Sequence, residues 1–203
     1  MSFPINDAFG HSSQHFQLLP FQPNAHTQNI AIKGNVLRDG SQLSVAYWIE
    51  GDWEKVIIPD LRFHRFPERR DRLWEKTCFE FFLAAVDANS THTKDNPYWE
   101  INLSPEGHWN VFSFMGYRHS MRVESAIATL PFNVRTSPTG LHLEIVMDTS
   151  ALIAPDKPIQ IGISMVTLLK TEADPAEAFW AITHPSTEAD FHHPDSLAMQ
   201  LIP

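Results

Sequence analysis

The sequence predicts an all-β protein: an antiparallel β-sandwich with long rim loops and at most short helices, formed as a single domain over residues 1–203. Roughly eight or more short segments alternate apolar and polar residues, which is the period of a strand with one buried face. Turn residues, including 15 Pro and 8 Gly, separate these segments. At 203 residues and 43% hydrophobic, the chain suits one all-β domain with a substantial core.

Three hairpins follow from the alternating segments and the turns between them. Asp39 and Gly40 form a strong two-residue hairpin signal, and Pro105 to Gly107 form a second turn. The predicted hairpins join residues 29–37 with 42–49, 98–104 with 108–114, and 132–136 with 141–147.

Two further strands are predicted at residues 78–86 and 158–169. The second is almost continuously apolar, so we expect it to lie centrally with both faces covered. Residues 148–154 and 174–179 each have an N-cap residue but room for only about two helical turns. The long intervals 59–77, 87–97 and 183–203 are predicted to be loops on the rim, where binding groups often lie.

Composition excludes several classes of protein. With 15 Lys and Arg against 24 Asp and Glu, the net charge is −9, which disfavours a nucleic-acid binder. The single cysteine excludes a disulfide scaffold. No apolar run approaches the roughly 20 residues of a membrane span, and no basic, apolar leader opens the chain, so we expect a cytoplasmic protein without membrane association.

Two carboxyl groups are predicted to share one strand face. The two-residue period places Glu80 opposite the face of Phe79 and Phe81, and it places Glu100 and Asn102 together on one face of their strand. If the strands are neighbours, the three form one polar surface. Such a pair fits a glycoside hydrolase, or acids that hydrogen-bond a ligand hydroxyl, an arginine or water.

Two clusters admit other chemistry. Five arginines between Arg62 and Arg72 suit carboxylate or phosphate recognition, or form exposed ion pairs with the acids beside them. The segment from His184 to His193 offers nitrogen and oxygen ligands, so a metal site at His184 and His192 is an alternative, although no tight metal motif is present.

Tryptophan points to sugar recognition. Trp74 lies between charged residues at a loop end, and an exposed indole beside polar groups suits the apolar face of a pyranose. From its apolar surroundings alone, Trp180 is expected to lie in the core.

Several motifs resemble one family. Residues 73–83, 98–109, 116–118, 179–185 and 190–192 look like the DOMON-like proteins, which are similar to family 9 carbohydrate-binding modules. The resemblance implies a jelly-roll β-sandwich that binds sugars or, in other branches, haem.

The resemblance also implies roles for individual residues. Trp74 and Trp180 are the positions that match a tryptophan clamp on a sugar. The resemblance further implies structural calcium, but this chain shows no acidic loop that would bind it. It also implies axial haem ligands, but no spacing in the sequence selects a pair. The haem candidates are Met115, Met121, His119 and His184.

We therefore predict non-catalytic binding of a small carbohydrate or related polar ligand on the concave face of the sandwich. The alternatives are a hydrolase using Glu80 and Glu100 or the His184 and His192 metal site, and a haem carrier. Calcium, haem and the oligomeric state stay open. The predicted ligand-binding residues are Trp74, Glu80, Glu100, Asn102, Arg118, Trp180, His184, Asp190 and His192.

Overall fold

The computed structural model describes residues 5–6, 12–58, 67–87 and 90–203. The all-β prediction is confirmed, since the described helices are three-residue 3-10 turns at Trp53–Lys55, Leu73–Glu75 and Pro194–Ser196. None of these is long or apolar enough to cross a membrane. The described strands are β1 (Ile5–Asn6), β2 (Ser12–Pro20), β3 (Ile30–Asp39), β4 (Gln42–Gly51), β5 (Cys78–Ala85), β6 (Tyr98–Leu103), β7 (Trp109–Phe114), β8 (Arg122–Val123), β9 (Phe132–Ser137), β10 (Gly140–Asp148), β11 (Ile159–Leu169), β12 (Ala176–Ala181) and β13 (Met199–Leu201).

The strands form two antiparallel layers. The front sheet has the order β8-β7-β6-β5-β11-β12, and the back sheet has the order β2-β3-β4-β10-β9. Strands β12 and β2 join the two layers through the pairs Trp180 with Pro20 and Ala181 with Leu19. Short β13 pairs with β11, and β1 pairs with β2. The result is the predicted β-sandwich.

All three predicted hairpins are confirmed. They are β3 with β4, β6 with β7, and β9 with β10. Gly40 and Gly107 have φ angles of 58° and 89°, a left-handed conformation that glycine adopts without the steric cost of a Cβ. Strand β11 lies between β5 and β12, and nearly all its side chains are buried, as its apolar sequence predicted.

Some sequence expectations are wrong. Residues 174–179 do not begin a helix, because Ala176 starts β12 and pairs with Leu169. Residues 148–154 do not form a helix either, because Asp148 ends β10 and residues 149–154 form turns and a bend. Interval 183–203 is not only a rim loop, because Phe191 and Leu197 pack on the outer face of the front sheet. The predicted intervals 59–77 and 87–97 fall partly outside the described residues.

Two hydrophobic clusters result. The main core lies between the sheets, with Phe81 and Ile163 from the front and Val45 and Leu143 from the back. The second cluster covers the outer face of the front sheet. Its buried members are Phe82, Ala84, Tyr98, Phe112, Phe114 and Leu197. The front sheet is therefore buried on both faces, and its outer side carries the site described next.

Candidate functional site

A pocket of about 410 Å³ opens on the outer face of the front sheet. Its lining comes from five of the six strands of that sheet or from the segments packed on them. The lining residues are Trp74, Glu80, Glu100, Phe114, Arg118, Met121, Val166, Phe179, Ala189, Phe191 and His192. Aromatic rings and charged groups thus meet in one concavity.

Strand register brings the two predicted carboxyl groups together. Strands β5 and β6 are neighbours, with Glu80 opposite Asn102 and Phe82 opposite Glu100. Opposite residues in an antiparallel pair point to the same face, so Glu80 and Glu100 are diagonal neighbours on the pocket side. The predicted shared face is confirmed.

Burial shifts the pKa of Glu80. Its side chain is buried and its Oε1 atom has no hydrogen-bond partner among the described residues. Burial raises the pKa of Glu80 well above the usual range, and the charge of Glu100 adds to this effect. The nearby Cys78 thiol acts in the opposite direction. Burial therefore favours the protonated form of Glu80.

The Glu100 carboxyl group accepts a hydrogen bond from a neighbouring side chain. Asn102 Nδ2 donates a 2.7 Å hydrogen bond to Glu100 Oε1. Burial raises the pKa of Glu100 to about 7, against the lowering effects of this hydrogen bond and of the Arg118 charge. Glu100 consequently changes its charge within the physiological range, one strand away from a second acid whose pKa burial also raises.

His192 is held beside Glu100 as a neutral base. Its Nδ1 lies 2.9 Å from the Tyr98 hydroxyl, and its Nε2 lies 3.8 Å from Glu100 Oε2. Burial lowers the pKa of His192 to about 4, with a further lowering by Arg118 and an opposing effect of Asp190. The imidazole is therefore uncharged at pH 7.

Arg118 stands at the mouth of the pocket. Its Nη2 donates to Asp190 Oδ1 over 2.8 Å, and the Tyr117 hydroxyl donates to the other oxygen of the same carboxylate. Burial opposes ionisation of Asp190, but these hydrogen bonds hold its pKa below the usual value. Arg118 has a left-handed φ of 53°, and its backbone N–H donates to the Tyr98 hydroxyl. The turn after β7 is thereby fixed to the pocket wall.

The structure separates the predicted site residues into three groups. Five line the pocket: Trp74, Glu80, Glu100, Arg118 and His192. Asn102 and Asp190 lie behind the lining and hold Glu100 and Arg118 in place. Trp180 and His184 lie elsewhere.

The placement of Trp180 corrects the resemblance-based assignment. Its side chain is 1% exposed in the main core, and its indole N–H donates to Thr167. Because neighbouring strand residues point to opposite faces, the preceding Phe179 lines the pocket in its place. The expectation from its apolar surroundings, a core tryptophan, is confirmed.

His184 is also outside the site. Its Nε2 lies 2.8 Å from the Leu19 carbonyl oxygen and its ring contacts Phe21 edge-on. The proposed pairing of His184 with His192 at a metal is therefore wrong. Within the described part of the chain, no cluster of three or more His, Cys, Asp or Glu side chains is arranged to hold a metal ion.

The haem alternative fits the residues poorly, and the single cysteine is not placed for catalysis. Of the proposed axial ligands, Met121 lines the pocket, whereas Met115 is 63% exposed and His184 is bound to the Leu19 carbonyl. Cys78 is fully buried, and burial raises the pKa of its thiol, so it is not poised as a nucleophile.

Three arginines of the run between Arg62 and Arg72 lie in the described part of the chain, and each contacts a neighbouring side chain of the protein. Arg69 lies 4.2 Å over the Trp109 ring and donates to Asn110 Oδ1. Arg70 pairs with Glu68, and Arg72 pairs with Glu75, both at the surface. Arg62 and Arg65 lie outside the described residues.

Sequence reasoning missed several walls of the pocket, among them Phe114, Phe179 and Phe191. Phe191 packs with Phe179 at a ring distance of 6.2 Å, and Trp74 contacts Phe112 edge-on at 5.6 Å. Strand alternation places Phe114 on the Glu100 face once β6 and β7 are paired, so this residue was detectable. Phe191 had no such signal, because its segment has no strand period.

No protein-family model matches the chain, and no curated protein matches its sequence. Its fold is similar to that of a proposed carbohydrate-binding protein from Bacteroides uniformis, with a TM-score of 0.58 and 13% identity over 92% of this chain and 84% of that one. A family 9 carbohydrate-binding module from Caldicellulosiruptor kristjanssonii, in complex with glucose, gives a TM-score of 0.48 and 13% identity over 92% and 83% of the two chains. The first likeness supports the β-sandwich fold.

Proposed function

We propose that the protein binds a small carbohydrate or a related polar ligand, without transforming it, in the pocket between Trp74 and Phe191. One observation carries the proposal: aromatic walls surround buried carboxyl groups in a single pocket of about 410 Å³. This volume lies within the range of about 300–1,000 Å³ in which proteins bind small molecules.

The pocket chemistry suits a hydroxylated ring. The apolar C–H face of a pyranose packs on an aromatic side chain such as Trp74, while its hydroxyls need directional donors and acceptors. Glu80 and Glu100 provide oxygens at the floor. A guanidinium has five N–H donors, so the bond from Arg118 to Asp190 leaves donors for a ligand hydroxyl.

The fold supports the same proposal at a coarser level. The Bacteroides uniformis protein with this fold is itself proposed to bind carbohydrate. Because one fold hosts many functions, the greater weight rests on the pocket and its side chains.

Trp74→Ala tests the proposal. Isothermal calorimetry with glucose, other hexoses and disaccharides is expected to show binding to the unaltered protein. Removing the indole should weaken that binding by tenfold or more, since a tenfold change corresponds to about 1.4 kcal/mol. The matched control is Trp48→Ala, which removes a half-buried tryptophan stacked on His142 in the back sheet. Folded protein that binds no sugar, or equal losses in the two variants, would contradict the proposal.

A hydrolase is the second candidate, and the unequal acids favour it. The pKa of Glu80 is raised well above the usual range and that of Glu100 to about 7, so one carboxyl group suits the role of acid and the other that of base or nucleophile. A panel of aryl glycosides decides between binding and hydrolysis. Turnover that is lost in Glu80→Gln would establish the hydrolase, whereas binding without turnover would reject it.

A further inference from the structure

One oxygen at the floor of the pocket lacks a partner. Glu80 is only 3% exposed and lines the pocket, yet its Oε1 atom accepts no hydrogen bond from the described residues. A buried carboxyl oxygen without a partner is costly, because burial removes the water that would otherwise solvate it. The cost indicates that a ligand group completes the site.

The charges around the pocket leave its acids unbalanced. Among the described residues that line the pocket, Arg118 carries the permanent positive charge, and it forms a 2.8 Å ion pair with Asp190. His192 contributes no positive charge at neutral pH because it is buried beside Arg118. Arg118 offsets only part of the effect of burial on Glu100, and among the described residues no cation pairs with Glu80, so the second of these two adjacent carboxyl groups ionises at a high cost.

The aromatic walls of the pocket favour a positively charged ligand group. Trp74, Phe114, Phe179 and Phe191 line the pocket, and the face of an aromatic ring attracts a cation. A neutral hydroxyl would satisfy one oxygen but would not offset the charge that appears when the second carboxyl group ionises. A protonated amine donates up to three hydrogen bonds and cancels charge at both carboxyl groups.

We propose that the ligand of this pocket carries a protonated amino group, as an amino sugar does, and that this ammonium binds between Glu80 and Glu100. The inference rests on the proposed sugar-binding function and narrows it to a class of sugar. A carboxyl group that is protonated in the free protein releases its proton to the solvent when the ammonium binds, and the resulting carboxylate accepts hydrogen bonds from the ammonium.

Calorimetry at pH 7 with glucose, glucosamine and N-acetylglucosamine tests this inference on the full chain. Glucose has a hydroxyl where glucosamine has an amine, and the N-acetyl compound has an uncharged amide. We expect glucosamine to bind at least tenfold more tightly than either of the others. The buffer contains EDTA, so that no divalent ion occupies the acids.

Two variants test whether the carboxyl groups of Glu80 and Glu100 cause the preference for glucosamine. Glu80→Gln should reduce the ratio of glucosamine to glucose affinity to about one, whatever its effect on glucose affinity itself, because a neutral amide cannot balance the charge of the ammonium. Glu100→Gln should have the same effect and serves if the first variant does not fold. Glu144→Gln, on the exposed side of β10, is the control and should keep the full ratio.

The outcomes separate the two proposals. Equal affinities for glucose and glucosamine, or a preference that survives both pocket variants, would overturn the amine inference and leave sugar binding intact. Failure of all three sugars and of the wider hexose and disaccharide panel to bind folded protein would overturn the proposed function itself.

Discussion

The outer faces of the two sheets differ in what covers them. In the back sheet, β10 alternates buried residues such as Leu143 with partly exposed ones such as Glu144, so its outer face meets solvent. In the front sheet, seven of the eight residues of β5 are buried, including Glu80. The difference arises because Phe191 and Leu197, near the C-terminus, pack across the front sheet.

The contrast between the two sheets shows that an acid at the same outward position of a strand has a different meaning when it is covered than when it is exposed. Glu144 lies 3.4 Å from Arg135 on an open surface, where an ion pair contributes little. Glu80 and Glu100 occupy the equivalent outward positions of their strands, but they lie beneath a cover, where an ionisable group is costly. A buried acid on the second face of a sheet is therefore a candidate for function.

The largest expected effect is on the inner face of β5. Phe81→Ala removes a fully buried ring from the main core and should lower the free energy of unfolding by about 3–5 kcal/mol. Urea unfolding monitored by circular dichroism measures the change. Val146→Ala, at a 58% exposed position of β10, is the matched truncation and should cost about 0.5 kcal/mol or less. Similar losses in both variants would contradict the distinction between the inner core and the open face.

An intermediate effect is expected from pH on the covered outer face. The pKa of Glu100 rises from an ordinary 4.5 to about 7 on folding, and that of Glu80 rises well above its ordinary value. The folded state then binds more protons than the unfolded chain, so the free energy of unfolding should fall by about 1–2 kcal/mol from pH 6.5 to 8. Urea unfolding across this range provides the test.

His192 has the opposite dependence in a lower range. Its pKa falls from 6.5 to about 4 on folding, so its contribution makes stability rise with pH between those values and is complete above about 6.5. The change in stability between pH 6.5 and 8 is therefore attributed to Glu80 and Glu100. Glu100→Gln should flatten the dependence, and a stability that rises from pH 6.5 to 8 would contradict the burial of these carboxyl groups.

The smallest effect is expected on the open face of the back sheet. Glu144→Gln weakens the long contacts of this side chain with Arg135, Asn133 and His142 and should change the free energy of unfolding by less than about 0.5 kcal/mol. Thermal unfolding at low and high salt measures it. A loss above 1 kcal/mol would show that this face is more tightly packed than its exposure indicates.

Much of this organisation was predictable because hairpins and strand faces are local. The Asp39-Gly40 turn has one preferred geometry between two alternating segments, and the two-residue period by itself places Glu100 and Asn102 on one face. The secondary structure of residues 174–179 was harder to predict, because the alanines and the N-cap residue of this segment suit a helix. Pairing with β11 makes it a strand instead.

The sequence by itself determined the all-β class, the three hairpins and the side of each strand on which Glu80, Glu100 and Asn102 lie, because each depends on neighbours within a few residues. Only the tertiary structure decided that β5 and β6 are adjacent and that Phe179, not Trp180, faces the pocket. It also decided that Arg118 and His192 line the same pocket as the two acids. These contacts join residues far apart in the chain, and they form because burying the outer face of the front sheet stabilises one particular path of the C-terminal segment.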